Sequence, residues 1–141
     1  MTVNQISIFL ENKYGKLSEI LMLLAEAKIR IIAATVADTS EYGILRIIVN
    51  DPQRAFKILK ENNVSANLTD VLAIVTHSEA AGFAQTLQSF TKAGLSIEYM
   101  YCFSTVDKAI MVLRTNNQES AREVIRRQNF DYVTENDLAK V

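Results

Sequence analysis

The 141-residue chain has one cysteine, one proline, four glycines and no tryptophan. A single thiol, Cys102, excludes an internal disulfide framework and fits a reducing, cytoplasmic compartment. With so few breakers, the connections must be short and most of the chain regular. No apolar run approaches the roughly 20 residues that cross a bilayer, so no membrane partner is expected. The opening residues 1–13 have no basic start and carry Glu11 soon after their apolar run, so they do not read as a signal peptide. Charge of neither sign dominates. Fifteen Lys and Arg face sixteen Asp and Glu, which leaves no basic footprint for nucleic acid. His77 is the only histidine; no Ser/His/Asp set is apparent, and a lone histidine is no zinc site. Phosphate-binding and dinucleotide-binding glycine motifs and the His-Glu-x-x-His motif are also missing. No catalytic residue, cofactor or metal is therefore expected.

What is present is an ordinary globular composition, 49% hydrophobic and 22% charged. The length suggests one domain. Self-comparison changes that. Shifted by 66 positions, the chain matches itself without a gap: Ile8 falls on Ile74, Leu21 on Leu87, Ala27 on Ala93 and Ile31 on Ile97. Asn50 then falls on Asn116, Ala55 on Ala121 and Asn63 on Asn129, with conservative apolar pairs between them. The reading is a tandem duplication, residues 1–69 and 70–141, with its seam near Thr69 to Val71. Two copies are too few for a solenoid.

Each copy has the same pattern. Val3 to Leu10 is an Ile/Val/Phe-rich strand. Leu17, Ile20, Leu21 and Leu24 recur at helical spacing and predict a helix over Tyr14 to Lys28. Arg30 to Ala37 and Ile44 to Val49 are β-branched runs joined by a turn over Asp38 to Gly43. Asn50-Asp51-Pro52 starts a second helix, which Asn62-Asn63 ends. Ala66 to Thr69 is a short last strand. In the second copy, strands are expected over Val71 to Thr76, Ser96 to Thr105, Lys108 to Thr115 and Asp131 to Thr134. Helices are expected over Glu79 to Ala93 and Glu119 to Gln128, then a short helical tail from Glu135. The fold class is α+β: two ferredoxin-like βαββαβ units, each an antiparallel four-stranded sheet with two helices on one face.

The first strand–helix turn, Glu11 to Leu17, suits an anion at its helix N-terminus, with Asn12 adding an amide; by itself it reads more readily as a capped helix in which Gly15 eases a tight turn. His77, beside the second turn, is either a ligand contact or a surface histidine. Tyr99, Tyr101 and Phe103 alternate with Met100 and Cys102, so the two sets face opposite ways. The aromatic set is either interface packing or a pocket wall. Cys102 is read as a buried structural thiol.

Glu-Asn-Lys-Tyr-Gly-Lys-Leu at 11–17, followed by Leu23-Leu24-Ala25-Glu26-Ala27-Lys28-Ile29-Arg30-Ile31, resembles the opening of ACT domains. Ala81-Gly82-Phe83 and Ala93-Gly94-Leu95-Ser96-Ile97 repeat the resemblance, so that it spans nearly the whole chain as two consecutive units. It implies a non-catalytic regulatory module for amino-acid metabolism whose allosteric effector is a free amino acid. In such domains the effector lies between the first strand–helix turn of one unit and the second strand of another. Units commonly pair side by side, here within one chain, with further association into a homodimer and contact with a regulated protein. The implied ligand contacts are Asn12, Lys13, Tyr14, Gly15, Lys16 and Leu17 opposite Tyr99, Met100 and Tyr101. The second set is His77, Ser78, Ala81, Gly82 and Phe83 opposite Ala33, Ala34 and Thr35. The chain departs from the usual pattern at Tyr14, Lys28, Arg30, Ser78 and Ser96, which keeps open an alternative: an assembly module that has lost its ligand. The same element order serves acylphosphatase-like enzymes and RNA-recognition modules. The central strands, Ile6 to Leu10 and Ile44 to Ile48, are aliphatic and lack the aromatic and basic signature of the latter.

Overall fold

In the structure, a computed structural model, residues 1–11, 15–38, 42–77, 79–104 and 108–140 are described. They form β1 (Thr2–Glu11), α1 (Lys16–Glu26), β2 (Ile31–Asp38), β3 (Tyr42–Val49), α2 (Pro52–Glu61) and β4 (Ala66–Thr76). There follow α3 (Ala80–Lys92), β5 (Ile97–Ser104), β6 (Ala109–Thr115), α4 (Gln118–Gln128) and α5 (Glu135–Ala139). The chain divides into two compact units. One is Asn4–Thr69 with the tail from Asn136; the other is Asp70–Glu135 with Met1–Val3.

In the first unit, strand alternation and helical spacing converge on one core. Ile6, Ile8 and Leu10 of β1 stand beside Leu45 and Ile47 of β3, in the register Ile6↔Ile47 and Ile8↔Leu45. Ile20 and Leu24 of α1 and Ala55 and Leu59 of α2 close over them. Leu59 is fully buried, a contribution of roughly 1.5–3 kcal/mol from the hydrophobic effect. The second unit repeats this at the 66-residue offset. Leu72 and Ile74 of β4 pair with Leu113 and Met111 of β6. Phe90 of α3 and Ala121, Val124 and Ile125 of α4 complete that core.

The repeated asparagines have structural work. Asn50 accepts from the Arg30 amide through its side chain (2.8 Å) and donates its own amide to the Arg30 carbonyl (3.1 Å). Asn116 does the same with Ser96 (3.0 and 3.2 Å). Each closes the far end of a β-hairpin beside matching strand irregularities at Ile31/Ala33 and Ile97/Tyr99. The second helix of each unit is capped one residue later. The Asp51 carboxylate accepts from the Arg54 amide (3.3 Å), and the Asn117 side chain from the Ser120 amide (3.1 Å). Four helices end in one motif. The residues after them, Lys28, Asn63, Gly94 and Asn129, all have positive φ, between 55° and 77°. The next amide in each case (Ile29, Val64, Leu95, Phe130) reaches back to a carbonyl five residues earlier.

The sheet departs from the expectation of two four-stranded sheets. Six strands are hydrogen-bonded in the order β2-β3-β1-β4-β6-β5. Two causes are visible. The expected strands Ala66 to Thr69 and Val71 to Thr76 are one uninterrupted strand, β4, so the seam lies mid-strand. Nothing in Ala66–Thr76 can break a strand, and the carbonyl of Asp70 is held by Arg114 (2.7 Å) and Gln118 (3.2 Å). The expected strand over Asp131 to Thr134 shrinks to a single bridge, Tyr132↔Ile74, because the chain has only five residues between the left-handed Asn129 and the start of α5. The expected tail helix is present, with Leu138 buried. Gly43 belongs to β3 rather than to the hairpin turn, whose residues 39–41 lie outside the described ones. Among the described residues no helix is long and apolar enough to cross a membrane.

Candidate functional site

Each unit carries a recess where its first strand ends. In the first unit it measures about 510 Å³ and is lined by Phe9, Leu10 and Glu11 at the end of β1, Lys16 of α1, Tyr42 of β3 and Asn63 to Ser65 before β4. In the second it measures about 550 Å³. There it is lined by Val75, Thr76 and His77 at the end of β4, by Gln85, Thr86 and Ser89 of α3, by Lys108, and by Gln128 to Asp131. Both volumes lie in the range of small-molecule sites, roughly 300–1,000 Å³. The same backbone bond ties two lining residues of each recess: the Phe9 amide donates to the Ser65 carbonyl (3.0 Å), and the Val75 amide to the Asp131 carbonyl (2.9 Å).

The sequence-predicted contacts distribute as follows. Asn12, Lys13, Tyr14 and Ser78 lie outside the described residues. Gly15 is exposed before α1 with φ 79°, a conformation that suits glycine, and its carbonyl accepts the Glu19 amide (3.0 Å). Lys16 lines the first recess and pairs with Glu19 at 3.9 Å. Leu17 packs against the core of its unit. On β2, Ala33 is buried, Thr35 half-buried and Ala34 exposed. His77 is exposed and lines the second recess. Ala81 is exposed and Gly82 half-buried, both in the first turn of α3. A side chain at Gly82 would come within 3.1 Å of the His77 carbonyl oxygen and 3.2 Å of its Cβ, so glycine lets the helix start close against His77. Phe83 packs against the second core. On β5, Tyr99 and Tyr101 are half-buried on one face, while Met100 is exposed on the other, as alternation predicts.

Cys102 corrects its expectation. It is exposed, because alternation along β5 puts it on the same open face as Met100. Partial burial still raises its thiol pKa above the ordinary value by desolvation, so it is protonated at neutral pH. Elsewhere, the side-chain hydrogen bond from Arg122, reinforced by its charge, lowers the Glu119 carboxyl. Among the described residues no group of three or more His, Cys, Asp or Glu side chains is placed to hold a metal ion.

Phe9, Tyr42, Asn63 and Ser65 were not anticipated as site residues, nor were Lys108, Asn129 and Asp131. The available signal was the repeat itself, since Asn63 and Asn129 are an identical pair at the 66-residue offset.

The comparisons with known proteins agree with this architecture. The family described as ACT domain pair matches residues 1–141. Protein BT0572 from Bacteroides thetaiotaomicron, known as a crystal structure, is 38% identical. That match covers 100% of this chain and 98% of that one, with a TM-score of 0.93. The ligand-free regulatory subunit of aspartate kinase from Thermus thermophilus is 18% identical over 88% of this chain and 91% of that one, with a TM-score of 0.61, a likeness of fold. No curated protein sequence matches the chain significantly. The chain belongs to the family of ACT domain pairs, over its whole length.

Proposed function

We propose that this protein is a non-catalytic sensor that binds a free amino acid and reports it to a regulated protein in amino-acid metabolism. The observation that carries the reading is the ligand-sized recess beside the first strand–helix turn of each unit, in a chain that is an ACT domain pair throughout. The regulatory subunit of aspartate kinase, which shares the fold, supports a regulatory rather than a catalytic role. In this proposal residues 1–69 and 70–141 are the two working units. The effector is held by turn residues Asn12 to Leu17 and His77 to Phe83 (omitting Glu79 and Ala80), with Ala33 to Thr35 of β2 and Tyr99 to Tyr101 of β5 selecting its side chain. Backbone N–H groups at the turn hold the carboxylate. Binding acts by favouring one arrangement over another, which requires different affinity for the two. The working form is a cytoplasmic homodimer.

Calorimetric titration with each of the common amino acids tests this. At least one is expected to bind, and Asn12→Ala or His77→Ala to weaken it. Binding unchanged in both variants rejects the placement of the sites. The second reading, an assembly module without a ligand, is favoured by exposed apolar side chains at the terminal strands and on α1: Ile31, Val36, Met100 and Met22. It predicts no heat with any amino acid and an association state that changes on Val36→Ser.

A further inference from the structure

The two recesses occupy the same place in the repeat. The strand ends contribute Glu11 and His77, the hairpins Tyr42 and Lys108, and the turns before the last strand Asn63 and Asn129, each pair 66 residues apart. Their backbone frame is also common: the left-handed asparagine, the reach-back bond behind it, and the amide-to-carbonyl bond between two lining residues. The fold therefore supplies the cavity, and the side chains supply what differs between the two.

They differ in kind. In the first unit the recess has an aromatic wall. Phe9 and Tyr42 are each 43% exposed, with ring centroids 6.3 Å apart and planes tilted by 52°. Large rings left open to water beside a cavity are a binding surface rather than a core. Among the described residues the same recess carries the cation Lys16 and the anion Glu11. Lys16 is engaged by Glu19 at 3.9 Å with the Glu19 side chain 67% exposed, a surface pairing that a ligand carboxylate can replace at little cost. In the second unit Val75 and Lys108 stand where the rings were, His77, Gln85 and Ser89 add polar groups, and the lining ring of Phe130 is packed against Phe90 of the core.

From this contrast we infer that the recess of the first unit is itself a ligand site, contained within one unit, that takes an amino acid with a large apolar or aromatic side chain. The ligand body lies on Phe9 and Tyr42, its carboxylate at Lys16 and its ammonium at Glu11. The second recess lacks the paired open rings, since Phe130, which lines it, packs on Phe90 of the core, so it holds the same ligand more weakly. This inference rests on the amino-acid-binding reading and adds to it a location and a side-chain class.

The test titrates the full chain with phenylalanine, leucine, serine and aspartate by calorimetry, then repeats the titration on Phe9→Ala and Tyr42→Ala. Thermal unfolding of each variant confirms folding; both aromatic positions are exposed, so either one suffices if the other fails to fold. The expected result is binding of phenylalanine or leucine over serine and aspartate, weakened about tenfold by Phe9→Ala or Tyr42→Ala. Amino-acid binding that survives both aromatic substitutions overturns this inference and leaves the sensor reading standing. So does a change of association state with unaltered affinity, which would make the rings a contact for another copy. No binding of any amino acid overturns both.

Discussion

Lys28 and Gly94 occupy the same position in the two units, and they provide a paired test of the fold. Both follow the first helix of their unit. Both are left-handed, with φ 59° and 77°. Around each the bonding is the same: Ile29 reaches the Leu24 carbonyl and Leu95 the Phe90 carbonyl, both at 3.0 Å. One unit therefore meets the conformation with glycine and the other with a residue that pays for it sterically. A Cβ added at Gly94 meets nothing within 4 Å, so no clash enters and only backbone strain counts. That strain is roughly 1–2 kcal/mol for a non-glycine residue. Alanine recovers about 0.4–1 kcal/mol by restricting the unfolded chain. The net loss expected for Gly94→Ala is about 1 kcal/mol, and Lys28→Gly should gain about as much by the reverse argument. For a chain of this length each corresponds to a shift in Tm of about 3–5 °C. Urea and thermal unfolding followed by circular dichroism will read both. Lys28→Ala is the control, keeping the strain and losing only an exposed side chain; it should stay within about 0.5 kcal/mol of the parent. An unaltered Gly94→Ala variant, or a Lys28→Gly variant less stable than the parent, would refute the reasoning.

Other outcomes follow from the same structure. Asp51→Ala and Asn117→Ala each remove the side-chain cap of a second helix and should cost about 1 kcal/mol in urea unfolding. Phe90→Ala empties a fully buried site in the second core and should cost about 3–5 kcal/mol; a loss below 1 kcal/mol would mean the core collapses freely around the gap. Cys102 should react with a thiol reagent at neutral pH more slowly than an unstructured cysteine despite its exposure, and its rate should rise about tenfold per pH unit well into the alkaline range. A rate equal to that of a free cysteine at pH 7 would contradict the desolvation argument.

Much of the fold was legible because two periodicities act on an apolar core. Ile20 and Leu24 recur at helical spacing, and Ile6, Ile8 and Leu10 at strand spacing, and each reaches the same core in the structure. Asn62-Asn63 was readable as a helix end, and Asn63 is left-handed. The strand count was less legible. Asp70 is a polar residue between two apolar runs and reads as a seam. Its carbonyl is bonded to Arg114 and Gln118, partners more than forty residues away that no local pattern reveals. The last strand failed for a related reason: Asp131 to Thr134 has strand composition, and the room left before α5 decides its length. The recesses were the least legible part. Phe9 looks like an ordinary strand residue, and Tyr42 is separated from it by more than thirty positions. Only antiparallel pairing of β1 with β3, which sets Glu11 opposite Tyr42, brings the rings together. The turn motif pointed to the end of the unit where the recess lies, without naming the residues that shape the cavity.

The central claim, that this ACT domain pair binds a free amino acid, is tested most directly by thermal unfolding of the full chain in the presence of each common amino acid. At 100 times its Kd a ligand adds about 2.7 kcal/mol of stability. For this length that is a rise in Tm of several degrees, and at least one amino acid should produce it. An unfolding curve that no amino acid moves, at concentrations up to the millimolar range, would contradict the claim and leave assembly as the role of the pair.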